Sequence, residues 1–278
     1  MKKTICLSVD VEEWFDSRWF DPKTLFAKYY NNKRPRTDIE QTTKMLLDIF
    51  EEHKITSTFF VLGRVAQDYP QLTRLIQSGD HEVATHGFSH EKLKTDEEFE
   101  DDLMKSLKIL KKYSADIFGY RSPNADIDFQ RLKIIAKHGF LYDSSVFPCI
   151  KIPGWYGTPS SKIEPYLIRV NKRDLCELPF AVIPFIRIPI AGGWYLRNTS
   201  YHLIRAGTRF LIRRTNYAML YVHPWELSSN NPNHPEIPKH VFRKTGRHTA
   251  NCLKNLIEDF RDCYFLTARQ LAEEYLDA

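Results

Sequence analysis

Long apolar runs are missing from this chain. No window in its 278 residues approaches the roughly 18 consecutive apolar residues of a membrane span, so an integral membrane fold is not expected. Cysteine is scarce. Cys6, Cys149, Cys176, Cys252 and Cys263 are an odd number at wide spacings with no Cys-x-x-Cys pair; this supports neither a zinc ribbon nor a disulfide framework and predicts buried, reduced thiols. No tract is of low complexity, and Lys and Arg are scattered among Asp and Glu rather than gathered in one block. The net charge of +5 is scattered, so neither extended disorder nor nucleic-acid binding is expected. The opening run to Asp10 carries two lysines, but Ser8 interrupts its apolar stretch and Asp10 ends it. It reads as a first strand rather than an export signal, and the expected location is cytoplasmic.

What is present describes an ordinary globular protein, 42% hydrophobic and 27% charged, long enough to bury a full core without staples. The first half alternates β-branched runs with amphipathic stretches, as βα units on a parallel sheet do. Strands are predicted over 5–11, 56–62, 81–85, 118–121 and 141–144. Capping boxes at Thr37/Glu40 and Thr95/Glu98 open helices, and Gly79 ends another. From 148 to 190 the pattern loosens, with six prolines between 153 and 189, which predicts a loop-rich insertion. Regularity returns with a helix over 201–214, a strand over 219–222, and a helical extension after 226. One domain is expected over residues 1–278.

Residues with chemical capacity gather at the predicted strand ends. Asp10 and Glu12 are two apart, so an extended chain points both carboxylates to one side; one can bind a metal while the other takes a proton. His86 and His90, in His-Gly-Phe-Ser-His, can fold two imidazoles onto one ion. In Arg121-Ser-Pro123-Asn124 the arginine can orient a carboxylate, and the turn exposes a backbone N–H suited to an oxyanion. Asp143 ends the next strand. His223 ends a later one, in Leu220-Tyr-Val-His223-Pro-Trp225-Glu226, and can protonate a leaving amine.

Taken in order, these motifs resemble the polysaccharide deacetylases of carbohydrate esterase family 4, the NodB-homology fold. The resemblance spans Ile5 to about Glu226, and the Ser-Val-Asp-Val-Glu start and Gly192-Gly-Trp-Tyr-Leu196 segment are similar to a subgroup associated with bacterial exopolysaccharide assembly. It implies a distorted (β/α)7-type barrel and a metal-dependent hydrolase that removes N-acetyl groups from an amino sugar, in a polysaccharide or its lipid-linked precursor. Two departures stand out. Val11 follows Asp10 where the family has a second aspartate, so the resemblance implies Asp10 as base and Glu12 as third ligand beside His86 and His90, with Asp10 the competing ligand. Gly87 also replaces a Ser or Thr whose hydroxyl braces the metal loop.

The same resemblance implies zinc, with cobalt or nickel as alternatives, Arg121 orienting Asp10, Asp143 partnering Arg121 or His223, and the Asn124 N–H and the metal sharing the oxyanion. Of the aromatics near the expected mouth, at least half should be core; Trp14, Trp194 and Trp225 are the candidate sugar contacts. A stripe of His202, Arg205, Arg209 and Arg213 along the 201–214 helix offers peripheral contact with an anionic membrane or a lipid-linked pyrophosphate, against the alternative of a solvated face. Two other functions remain open at this point: an allantoinase-like hydrolase of a small amide, and a silent carbohydrate-binding protein.

Overall fold

The computed structural model of the chain describes every residue except Met1, Ala115, Gly154, Asn171, Lys172 and Ala278. Its strands are β1 (Thr4–Val11), β2 (Thr58–Val61), β3 (Glu82–Thr85), β4 (Gly119–Tyr120), β5 (Tyr142–Asp143), β6 (Tyr166–Val170), β7 (Arg173–Glu177), β8 (Tyr217–Val222) and β9 (Tyr264–Phe265). Its helices are α1 (Pro22–Tyr29), α2 (Ile39–Glu52), α3 (Gly63–Asp68), α4 (Pro70–Ser78), α5 (Asp96–Leu110), α6 (Phe129–Lys137), α7 (Gly193–Asn198), α8 (Tyr201–Thr215), α9 (Arg247–Asp259) and α10 (Ala268–Leu276).

One sheet runs β6-β7-β5-β4-β3-β2-β1-β8, with β9 pairing the start of β1. Seven of these strands, β7-β5-β4-β3-β2-β1-β8, are mutually parallel, and only β6 is antiparallel to its neighbour. The seven-stranded distorted barrel is therefore an open, curled sheet. Between β5 and β8 the gap is bridged by irregular chain: Leu178 and Phe180 donate to the Asp143 and Val146 carbonyls, Ala181 to Met219, and Tyr221 to Ala191. The region expected to be a loop-rich insertion thus supplies the β6–β7 pair and this bridge, which is a correction to the sequence reading. Proline-rich chain suits the bridge, because few of its N–H groups need sheet partners.

β1 explains the architecture. All eight of its residues are buried, as a central parallel strand covered by helices on both sides requires. Its N-terminal half pairs β8 and β9 from the far end of the chain, so both halves of the sequence share one core. α2 buries Ile39, Leu46, Ile49 and Phe50 against that core. α5 begins at Thr95, whose hydroxyl accepts the Glu98 N–H at 3.2 Å, with three acidic residues in its first turn. The capping box expected at Thr37 does not form, because that hydroxyl donates to Glu13 Oε1 at 3.0 Å and α2 starts after Asp38. All five cysteines are free, four of them buried.

Candidate active site

Strand periodicity builds the first half of the site. Ser8 and Asp10 share the interior face of β1, and Glu12 follows just past the strand end, all three buried. The end of β4 brings Arg121 to the same place. Its Nη1 donates to Asp10 Oδ1 at 2.6 Å and to Ser8 Oγ at 2.8 Å, while Nε and Nη2 donate to the carbonyl and hydroxyl of Ser144. The guanidinium also lies 3.9 Å from the centre of the Phe60 ring. A fully buried cation needs a partner charge, and Asp10 provides it. This fixes the carboxylate at the cavity wall.

Glu12 turns instead toward the histidines. Its Oε2 lies 2.8 Å from His90 Nε2 and 3.7 Å from His86 Nε2. Burial would raise the Glu12 pKa, but the charges of His90 and His223 and the hydrogen bonds from His86 and His90 outweigh it and hold the carboxyl well below its usual range. His86 Nδ1 lies 2.8 Å from the Arg121 carbonyl, a contact that orients the ring with Nε2 toward Glu12. His90 Nδ1 meets the Asn124 side-chain amide at 3.1 Å, a group able to offer either its oxygen or its NH2. One ligand atom from each of Glu12, His86 and His90 lies within 4.8 Å of the others. Two imidazoles and a carboxylate beside a cavity fit a divalent ion of zinc type with open positions.

Gly87 stands at φ 75°, in the left-handed region, and a Cβ there would come within 2.8 Å of Asp102 Oδ2. Asp102 accepts the N–H groups of Phe88 and Ser89 at 2.7 and 3.3 Å. The brace expected from a hydroxyl at position 87 is therefore supplied by a carboxylate on α5, which needs glycine beneath it.

The second half of the site is carried by β8. His223 Nε2 lies 3.5 Å from Glu12 Oε1, and its Nδ1 lies 3.1 Å from Glu226 Oε2. Glu226 also accepts the His223 backbone N–H at 3.0 Å and Arg197 Nε at 3.0 Å, both charged side chains being wholly buried. Burial lowers the His223 pKa, but Glu12 and then Glu226 overcome this and bring it to about 9. Burial likewise raises Glu226, which Arg197 and His223 reverse. The partner of His223 is thus Glu226, anchored by Arg197, and sequence reasoning missed both roles. Their one local signal was spacing: His223 and Glu226 are the ends of a capping box around a Pro-initiated turn.

Asp143, expected to partner Arg121 or His223, does neither directly. It accepts the Ser145 N–H at 2.9 Å and the Ser145 hydroxyl at 2.7 Å, and it faces Glu177, which burial and the Asp143 charge push well above the usual carboxylate range. β7 pairs with β5 and sets these two acids side by side. Through Ser145 Oγ, which accepts the Ser122 N–H at 2.8 Å, Asp143 steadies the turn after Arg121.

Asp10, Glu12, His86, His90, Arg121, Asn124 and His223 line one cavity of about 340 Å³, within the range of about 300–1,000 Å³ typical of small-ligand clefts. Trp19, Trp155, Tyr156, Trp194 and Tyr195 form its aromatic wall. Trp194 lies in this wall, stacked on Trp19 with ring centres 6.0 Å apart. Trp225 also lines the cavity, parallel to His223 at 5.2 Å, and directs its Nε1–H to Glu12 Oε1 at 3.4 Å. Trp14 does not. The single helical turn Trp14–Asp16 swings its ring into a separate buried cluster with Phe15, Leu25 and Trp225, and Trp19 and Trp155 occupy the mouth instead.

Residues 28–142 match the family model of polysaccharide deacetylases, and residues 144–273 match a domain of unknown function, DUF3473. Among curated proteins, a peptidoglycan deacetylase of Helicobacter pylori is 30% identical over 165 residues, covering 54% of this chain and 52% of the relative. A chitooligosaccharide deacetylase of Rhizobium leguminosarum bv. trifolii is 32% identical over 76 residues, 27% of this chain and 33% of the relative. The chain thus spans about half or less of these relatives' lengths. Among solved structures, a Mycobacterium smegmatis protein assigned to the polysaccharide deacetylases superposes with a TM-score of 0.67 at 20% identity, covering 99% of this chain and 91% of the other. The PuuE allantoinase superposes at 0.63 and 13%, covering 99% and 91%. A carbohydrate esterase family 4 pseudoenzyme of Bacillus anthracis gives 0.57 and 12%, covering 98% and 66%. These structural likenesses carry the fold alone, but with the curated deacetylase relatives and four of the five motifs lining one cavity, the family match shows a polysaccharide deacetylase domain of the NodB-homology, carbohydrate esterase family 4 type over residues 28–142.

Proposed function

We propose that the chain is a divalent-metal-dependent N-deacetylase of an acetylated amino sugar, in a bacterial glycan or its lipid-linked precursor. The observation that carries this reading is that one cavity brings two differently supported groups, Asp10 on Arg121 and His223 on Glu226, together with the trio Glu12, His86 and His90. An ion held by Glu12, His86 and His90 would supply Lewis acidity toward an amide carbonyl and acidify water at the site.

The chain's own residues supply the proton traffic. Asp10, fixed by Arg121, accepts the proton of the attacking water, and the buried arginine keeps its carboxylate aimed. His223 carries the proton for the leaving amine, since an amine expelled without one is a poor leaving group. Glu226 holds that imidazole through Nδ1, so the proton to be delivered sits on Nε2, toward Glu12 and the cavity. The backbone N–H of Asn124, at φ 59° in the turn after Arg121, contributes to the oxyanion pocket. Trp194, Trp19 and Trp155 offer flat faces to sugar rings.

The allantoinase and pseudoenzyme relatives by fold show that architecture alone does not choose the reaction. The amino-sugar reading is supported by the curated relatives' names and the aromatic wall; a retained base and acid speak against a silent binder. Metal-loaded protein incubated with N-acetylated chito-oligosaccharides and peptidoglycan fragments should release acetate and shift each product by the mass of an acetyl group. Hydrolysis of small cyclic amides without acetate release would replace this reading with the amide-hydrolase one, and metal binding without turnover on either class would leave a binder.

A further inference from the structure

We infer that the face formed by residues 183–188 and the exposed stripe of α8 docks on an anionic lipid bilayer beside the mouth of the cavity. The sequence places four cations along α8, but the structure divides them. Arg205 Nε pairs with Asp259 at 2.9 Å and Arg209 Nη2 donates to the Asp259 carbonyl at 2.6 Å, so both are turned toward α9. A different stripe faces out. Leu203, Ala206, Phe210 and Arg214 follow at spacings of three and four residues, on one side of the helix, and all four are exposed.

Against this stripe stands a hairpin tip. Val182 and Pro189 pair as an antiparallel bridge, Ile183 N–H donates to Ile188 O at 2.8 Å, and Gly207 of α8 lets Ile183 and Ile190 pack close to the helix. The tip itself points to solvent: Phe185 is 71% exposed, Ile186 55% and Ile188 40%. Phe185 and Arg187 take left-handed φ values of 70° and 56°, a conformation that β-branched and bulky residues avoid. A turn that both strains its backbone and holds apolar side chains in water gains nothing for the fold, and strain of this kind collects at functional segments. Phe185 meets Phe210 at 6.2 Å between ring centres, joining tip and helix in one patch.

Charge selects the occupant. The Arg214 guanidinium lies 4.7 Å from the Phe185 ring centre, and exposed Lys151 directly follows Ile150, whose N–H is bonded to Arg187 of the tip. Apolar side chains with cations beside them are what an interfacial, anionic bilayer surface attracts. The patch also reaches the cavity: Ile150, 49% exposed and part of the cavity lining, donates its N–H to Arg187 O at 3.0 Å, and Pro189 lines the cavity too. No helix among the described residues is long and apolar enough to span a membrane. Presentation of a lipid-carried glycan to the site rests on the deacetylase reading; bilayer binding does not.

The test is flotation of the full chain with phosphatidylcholine vesicles with and without phosphatidylglycerol. We expect co-flotation with the anionic vesicles, weakened by high salt, reduced about tenfold or more in F185N/I186S, and also reduced in K151Q/R214Q. Asn is used at 185 because it tolerates the left-handed backbone, and unchanged circular dichroism and melting would show that the variants fold. Absence of flotation with the anionic vesicles, or flotation that F185N/I186S leaves intact, overturns the inference. So does a dimer in sedimentation that F185N/I186S abolishes without any vesicle binding, which would assign the patch to a second copy. None of these outcomes depends on acetate release.

Discussion

Replacing Glu226 by Gln separates the support of His223 from its presence. The amide keeps the shape and one oxygen but removes the charge that faces both His223 Nδ1 at 3.1 Å and Arg197 Nε at 3.0 Å. Arg197 then loses its counter-charge and keeps only neutral acceptors, among them the carbonyls of Arg243 at 3.0 Å and His240 at 3.4 Å. Breaking a buried pair by removing one charge typically costs about 3–5 kcal/mol, so E226Q should melt several degrees lower while staying folded. Its chemical effect is of another kind. A correctly held general acid contributes about 10²–10⁴-fold, and losing its orienting partner should lower kcat for an N-acetyl sugar by about a hundredfold with little change in KM. An aryl acetate, whose phenolate departs without a proton, should be hydrolysed at close to the wild-type rate. H223A should show the same contrast, and H223A/E226Q should be no slower than H223A alone, because residues acting as one unit are not additive. Equal losses on amide and aryl ester, or full additivity, would refute the assignment of Glu226 as the positioning residue.

Asp10→Asn should lower acetate release by about 10²–10⁴-fold while bound metal, read by elemental analysis, stays near one equivalent. Glu12→Gln and His86→Ala should instead lose the metal itself, and metal titration by calorimetry distinguishes the two classes. Gly193→Ala should reproduce the E226Q kinetics, since a Cβ there would overlap the Glu226 carboxylate; wild-type kcat in that variant would show that Glu226 can shift freely. For stability against pH, the folded pKa of His223, about 9, lies above the unfolded value of about 6.5. Its ionic contribution in metal-free protein, on the order of 3 kcal/mol, is fully present below about pH 6.5 and lost as pH rises through about 9. Urea unfolding of wild type and H223Q across that range should therefore converge at the alkaline end.

The parts of the site that the sequence made legible all sit where a parallel strand ends. Asp10 is the penultimate residue of β1, and His86, Arg121 and His223 directly follow β3, β4 and β8, and in such sheets the C-terminal strand ends face the ligand whatever the intervening helices do. Elements lacking that constraint were less visible. α1 buries only Leu25, so it has almost no apolar period to detect, and β7 is recruited by β5 through a register that its own residues do not announce. Trp14 was misassigned because its direction is set by a single helical turn, which the Glu13 N–H to Asp16 bond at 2.9 Å closes, and that turn is invisible to residue spacing read as strand or helix.

The exchange of Asp143 for Glu226 follows from the same physics. A carboxylate at a strand end can serve a histidine on another strand only if no nearer partner captures it. Asp143 is captured twice, by Ser145 on its own loop and by Glu177 brought alongside by β7. His223 then takes its carboxylate from three residues downstream, where Pro224 starts a turn that returns Glu226 to Nδ1 without any long-range contact. What makes that local pair work is not local: burying Glu226 requires a cation, and Arg197 arrives from α7, after the irregular segment has crossed the open side of the sheet. The bridge that the prolines mark as mere loop is therefore what carries the counter-charge to the acid side of the site, and a change that displaced α7 should disable His223 while leaving Asp10 and the three candidate ligands as they are.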